Sequence, residues 1–292
     1  MANSLLAAVN PFARRDEYSR NTLNVYRVTT LVSYLVLVVT AFYYTFNKPH
    51  EGHHPHKKIW GNNRPTPFAQ NSIITSVYWL ILFLLQALST LSLFTSNPTH
   101  RHATASIAPH TTLSNLLLFA FIHLWTRSHF LLSLLLLAVN FANLSAAYFR
   151  HSTTPRFIHW GSVSGPLAWN FVALYWVGAV AVHNTNHLAA RIVANVFIWG
   201  FLGYGLFFLV AFKDYTMGFN LSVLSFSTAV GQLLTKPHLF QLQWIFAFTI
   251  GAILFVLSVL VAAPGLIGRE DLFVRGQVVS EDRERAPLLA NE

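Results

Sequence analysis

Carboxylates are nearly missing from the middle of this chain. Between Glu51 and Glu270 the only acid is Asp214. Intramembrane aspartyl proteolysis needs two acids, and retaining glycosyl chemistry needs a carboxylate pair. Proton-coupled transport usually relies on an acid held within a span. All three classes lose their central residues here. Cysteine is absent as well. Its absence excludes a disulfide framework, a thiolate metal site and a cysteine nucleophile. No Walker-type phosphate loop, G-x-S-x-G elbow or H-x-x-x-x-D pair occurs, and no cofactor motif is visible. The balance points away from an enzyme, with a histidine-based hydrolase or acyltransferase left open.

Charge of either sign is scarce. Of 292 residues 54% are hydrophobic and 10% charged, where soluble domains carry about 25% charged residues. Mean hydropathy is +0.46. The formal charge of +9 is spread over short stretches and forms no concentrated basic face, so no nucleic-acid partner is expected. It suits attraction to membrane lipid headgroups. The start of the chain is not a cleavable leader, because Leu5–Val9 is too short and Pro11 follows.

What is abundant is apolar sequence in runs near the roughly 20 residues that a bilayer crossing needs. Eight candidate spans run from Val28 to Phe46, Ser72 to Leu93, Thr112 to Trp125, Phe130 to Phe149, Val163 to Val182, Ile192 to Phe212, Gly218 to Leu234 and Leu242 to Ala263. The fold class is therefore an all-α polytopic bundle of seven or eight helices. The third span is short and forms a tight hairpin with the fourth across Arg127-Ser128-His129. The seventh carries Asn220, Ser222, Ser225, Ser227, Thr228 and Gln232, so it must face protein or be re-entrant. Three regions follow: an N-terminal segment at 1–27, a membrane domain at 28–266 with a lumenal loop at 47–71, and a flexible tail at 267–292. With eight spans, 12 of the 19 Lys and Arg fall on the side of the termini and 7 on the other. This places both termini in the cytosol.

Amides and histidine inside spans are costly unless they find partners. Asn115, His123, Asn140, Asn143 and Asn170 form the candidate ligand cavity, with interhelical hydrogen bonding as the plainer role. Asn140 and Asn143 share a helix face at a spacing of three. His50, His53, His54 and His56 cluster beside Glu51 in the first loop, as weak candidates for a zinc or copper site. A hydrated loop near a headgroup surface is the simpler reading. Asp214 beside Lys213 reads as a charge pair at a helix end. Glu284, Leu288 and Leu289 match an acidic dileucine sorting signal, which implies contact with a clathrin adaptor. That signal points to Golgi, endosome or vacuole, with the endoplasmic reticulum as the alternative.

The runs RDEYSRNTLNVYRV, PTPFAQNSIITSVYWLILFLLQ, FRHSTTPRFIH, SGPLAWNFVALYW and ARIVANVFIWGFLGYGLFFLVAFKDYTMGF resemble a fungal multi-pass membrane-protein family of unknown function, from about Asn10 to Gly268. That resemblance implies a fungal membrane protein and assigns no residue a role. Pro65-Thr66-Pro67, Tyr78-Trp79, Asn115-Leu116 and His123-Leu-Trp125 also resemble the tryptophan-rich sensory, or translocator-protein, superfamily. That second resemblance implies an apolar bundle that binds porphyrins or sterols. The chain departs from it at Asn71-Ser72-Ile73-Ile74 and in three further spans. The leading expectation is non-enzymatic transport, or binding of lipid or a small apolar ligand, in endomembranes. The alternatives are a scaffold subunit and a lipid-modifying enzyme.

Overall fold

Asparagine and serine start the first three helices. Ser19 accepts the Thr22 N–H and opens α1, Arg20–Phe46. Asn71 accepts the N–H groups of Ile73 and Ile74 and opens α2, Ser72–Ser92. Asn97 does the same for Thr99 and His100 at α3, Pro98–Thr126. In each case a side-chain oxygen satisfies N–H groups that the helix cannot. Pro98 at the first position of α3 sacrifices no helical bond. The remaining helices are α4, Phe130–Arg150, then α5, Arg156–Ala181, α6, Ala189–Ala211, α7, Tyr215–Leu234, and α8, Gln243–Ile267. The computed structural model describes residues 10–13, 15, 17–50, 56–182, 188–234 and 242–267.

All eight helices are long and apolar enough to cross a membrane, and no strand occurs among the described residues. The third helix differs most from expectation. It begins at Pro98, well before Thr112, and Thr104, His110 and Thr111 lower the hydropathy of its first half enough to make it read as a loop. All three are nonetheless buried. The α3–α4 hairpin forms as expected, with Ser128 at φ 64° and the His129 N–H on the Leu124 carbonyl.

Burial sorts the helices into inner and outer. In the span windows of α5 and α7, 72% and 67% of residues are buried, against 28% for α1 and α4. Outer helices expose Val39, Leu131 and Val210, apolar side chains on a scale that a lipid phase covers without cost. The polar α7 is a complete buried helix. Ser222 donates to the Gly251 carbonyl at 2.8 Å, Ser227 bonds Thr75 at 2.7 Å, and Gln232 donates to the Thr66 carbonyl at 2.6 Å.

Residues 56–71 fold back over one end of the bundle, opposite the face where α1 begins. A 3-10 turn at Ile59–Asn62 is held by the Trp125 indole on the Ile59 carbonyl and by Asn62 on the Trp125 carbonyl. The Trp176 indole reaches Asn63 at 2.9 Å, and Gln70 reaches Thr228 at 2.6 Å. Gly231 of α7 lies under this cap. A Cβ there would sit 2.6 Å from the Ala69 carbonyl oxygen and 2.9 Å from the Asn71 nitrogen, both backbone atoms. Gly203 of α6 faces open space. Gly231→Ala should destabilise the protein by about 1–3 kcal/mol through overpacking. Gly203→Ala should be neutral or stabilising by up to about 1 kcal/mol. Thermal unfolding of both variants in the same detergent checks the contrast.

Candidate functional site

The five intramembrane residues singled out in the sequence are dispersed into pairs. Asn140 of α4 donates to Asn170 of α5 at 3.0 Å, and Asn170 donates to the Leu137 carbonyl at 2.8 Å. Asn143 donates to the His110 carbonyl at 3.0 Å, while its own oxygen lies 2.8 Å from His110 Nδ1. Asn115 donates to Ser33 of α1. His123 lies near the capped end, 3.1 Å from an Arg127 nitrogen and packed against Tyr44 and Phe119. These contacts tie α4 to α5, α3 to α4 and α1 to α3. None of the five lines the cavity described next.

That cavity, about 260 Å³, opens between α1 and α2. Phe42, Phe46, Val77 and Leu80 line it and are also exposed on the outer surface, so its mouth faces sideways into the lipid. Its inner wall is aromatic: Trp60, Trp79, Trp169 and Trp176 line it with Phe83 and Phe121. The rings support each other, with Trp79 edge-on to Trp169 at 5.0 Å and Trp60 stacked on Trp176 at 5.8 Å. The Trp60 indole is fixed by a 3.0 Å bond to Ser76. Thr45, Thr75 and Ser76 are the polar residues of the lining, and no charged side chain is among them. Such a lining can hold an apolar molecule and cannot run acid–base chemistry.

A second, polar site lies at the face where α1 begins. Asp214 precedes α7, and its Oδ1 accepts the N–H groups of Thr216 and Met217 and the Thr216 hydroxyl. Its Oδ2 accepts from the Tyr148 hydroxyl at 2.9 Å, with the Ser164 hydroxyl at 3.4 Å. Asp214 is therefore a helix cap bound to two other helices, and its neighbour in sequence, Lys213, occupies the left-handed turn at φ 49°. Ser164 also lies 2.8 Å from His159 Nδ1. Residues five apart fall about 140° from one another around a regular α-helix. A π turn over Trp160–Ser164 brings these two together. Its cause is local: Pro166 has no N–H for the Ser162 carbonyl and crowds it.

The histidines of the first loop give no metal site among the described residues. His50 is exposed and His56 is partly buried, while Glu51, His53 and His54 lie outside the described residues. Residues 50–54 also spell His-Glu-x-x-His, a pattern that sequence reasoning missed. It binds zinc on a helix, whereas α1 ends at Phe46 and residues 47–50 are not helical. Glu284, Leu288 and Leu289 also lie outside the described residues.

Residues 191–289 match the model of a family described as a fungal protein of unknown function, DUF1774. An uncharacterized protein of Schizosaccharomyces pombe is 34% identical over 82 residues, which cover 28% of this chain and 29% of that protein. The chain thus spans less than a third of the length of the curated relative it matches. No solved structure matches the chain. The likeness to an uncharacterised fungal family is carried by α6 to α8 and the tail. The likeness to tryptophan-rich sensory proteins rests on its short motifs alone.

Sequence reasoning missed the aromatic wall because tryptophan near a span end ordinarily marks the lipid–water interface. It missed the Tyr148–Ser164–His159 grouping because that depends on a π turn and on helix order. Proline two residues after Ser164 was the available signal. For the Asn140–Asn170 pair, a double-mutant cycle with alanine should give a coupling of about 0.6 kcal/mol, and no more than about 1.7 kcal/mol. Reversible unfolding in mixed micelles measures it, and additive single effects would show that the pair is not coupled.

Proposed function

We propose that this protein is a non-enzymatic membrane protein that takes one small apolar molecule from the bilayer into the cavity between α1 and α2. The observation that carries the reading is the sideways mouth leading to four tryptophans. Lipid tails are as apolar as leucine, so moving a chain from bilayer to cavity gains little hydrophobic free energy. Selectivity has to come from shape and from dispersion contact with the rigid aromatic wall, small per atom pair and large when many atoms fit. The cavity therefore favours a rigid, ring-containing molecule over a fluid acyl chain. Its volume is a little under the usual lower bound of about 300 Å³ for ligand pockets, so the molecule is small or only partly enclosed.

A scaffold role is the second reading, and the amide pairs favour it. The pairs and the cavity occupy different parts of the molecule, so a packing role for Asn140, Asn143 and Asn170 leaves the ligand reading intact. Cytosolic termini and a Golgi, endosomal or vacuolar location belong to the same proposal. They are supported by the Lys and Arg distribution and by the Glu284, Leu288 and Leu289 pattern, which would engage a clathrin adaptor.

Two measurements test these statements. A brominated sterol should quench part of the tryptophan fluorescence saturably, and a brominated fatty acid should do so more weakly. Ala41→Phe places a ring in the cavity and should weaken sterol binding by about tenfold or more, near 1.4 kcal/mol. Equal quenching in the variant, with unchanged thermal stability, would contradict the site. For sorting, Leu288→Ala with Leu289→Ala should shift a fluorescently tagged protein to another compartment. An unchanged distribution removes that signal.

A further inference from the structure

Resting on the apolar-ligand reading above, we propose that the occupant of the lateral cavity is a neutral ring compound with one terminal hydroxyl, drawn from the bilayer half on the capped side. Its oxygen accepts from Ser76, and its proton goes to Thr45. The hydroxyl gives the bound molecule an orientation that the aromatic wall alone leaves open.

The unused hydrogen-bonding capacity of the lining sets the ligand class. Ser76 Oγ accepts from the Trp60 indole at 3.0 Å, and its own proton has no acceptor among the described residues. A hydroxyl that accepts one bond is polarised into a stronger donor for the next. Thr45 donates to the Ala41 carbonyl at 2.7 Å, which leaves its oxygen as an acceptor. Thr75 is 1% exposed and held by Ser227 at 2.7 Å. The indole N–H groups of Trp60 and Trp176 are taken by Ser76 and Asn63, whereas those of Trp79 and Trp169 make no hydrogen bond among the described residues. Free donors therefore outnumber free acceptors, and a ligand that presents an oxygen is favoured. A group that both accepts from Ser76 and donates to Thr45 is a hydroxyl. No charged side chain lines the cavity, so an ionised group would be buried there without a counterion.

Depth selects Ser76 among these donors. Thr45 stands next to the last residue of α1 and Ser76 in the first turns of α2, both beside the cap that carries Trp60. At 1.5 Å per residue, Leu37, Phe83 and Trp169 lie roughly 14–18 Å from the capped ends of α1, α2 and α5. That is roughly half of a 30 Å hydrocarbon core, so the cavity is confined to one half of the bilayer. An amphiphile in that half keeps its hydroxyl at headgroup level and its rings below. Entering sideways between Phe42, Phe46, Val77 and Leu80, it brings the hydroxyl to the depth of Thr45 and Ser76 and the rings to the depth of Trp79 and Trp169. No reorientation in the membrane is needed.

The test uses the full chain in mixed micelles of neutral detergent and three probes built on one saturated steroid scaffold: the 3β-alcohol, the 3-ketone and the unsubstituted hydrocarbon. Each displaces the brominated sterol, and recovery of tryptophan fluorescence is read at matched mole fraction. The ketone accepts from Ser76 but has no proton for Thr45, and the hydrocarbon does neither. Interhelical hydrogen bonds in membranes average about 0.6 kcal/mol, which is about threefold in affinity. The alcohol should therefore exceed the ketone about threefold, and the ketone the hydrocarbon about threefold. Ser76→Ala should remove the step between ketone and hydrocarbon. Thr45→Val keeps the side-chain shape and should remove the step between alcohol and ketone. Ratios are read within each variant, so a change in cavity shape common to all three probes cancels.

Graded displacement by the parent chain, with the matching step lost in a folded variant, supports the hydroxyl site, and whichever of the two variants folds suffices. Equal displacement by all three probes overturns it and leaves the apolar-ligand reading intact. Graded displacement that survives both substitutions also overturns it, because the oxygen is then held elsewhere. If the brominated sterol itself shows no saturable quenching, the lateral site fails and the hydroxyl assignment falls with it. The two failures are thus read from different signals.

Discussion

Hydrogen bonding without water governs this molecule. A polar group in hydrocarbon has no solvent to fall back on, so amides and hydroxyls within a span turn to their own helix or to another part of the protein, with Ser114 Oγ an exception. Helix α7 shows the consequence. Ser222, Ser227, Thr228 and Gln232 would be unfavourable against lipid, and they instead reach α8, α2 and the folded cap over residues 56–71, while Ser225 bonds the Leu221 carbonyl of its own helix. That requirement places α7 at the centre and leaves the apolar α1, α2, α4, α6 and α8 to face the bilayer. Gly231 belongs to the same arrangement, since a bare backbone is what allows the cap to approach α7.

With the polar groups engaged in packing, the space left for a ligand is apolar. The cavity between α1 and α2 is bounded by rings that buttress each other, and its few hydroxyls sit beside the cap. The polar pocket lies at the opposite end, where Asp214 closes α7 and gathers Tyr148 and Ser164 from two other helices. One acid in the whole membrane region thus serves as a structural hub. Placed at a helix start, it costs less than it would at mid-span, because N–H groups and hydroxyls compensate its charge.

The helical bundle was legible from hydropathy because a long apolar run almost free of charge suits a bilayer crossing and little else. The limits of α3 were not, since a helix half made of Thr, His and Ser looks like a loop until its partners are known. Among the site residues, the sequence flagged Asn140, Asn143 and Asn170 as needing partners, and the partners are one another, His110 and backbone carbonyls. Their expected meeting in one cavity depended on helix order, which residue type cannot encode. Trp60, Trp79, Trp169 and Trp176 come from the first loop, α2 and α5 and meet only after folding. His159 and Ser164 lie five residues apart, and a regular helix would have separated them.

The most direct test of the ligand-binding account is an experimental density map of the full chain in lipid nanodiscs, without added ligand. The account predicts non-protein density entering between α1 and α2 and touching Trp60, Trp79 and Trp169, with Asn140 and Asn170 bonded to each other. Helices α1 and α2 packed shut with no density between them, or those amides turned toward a bound molecule elsewhere, would contradict it.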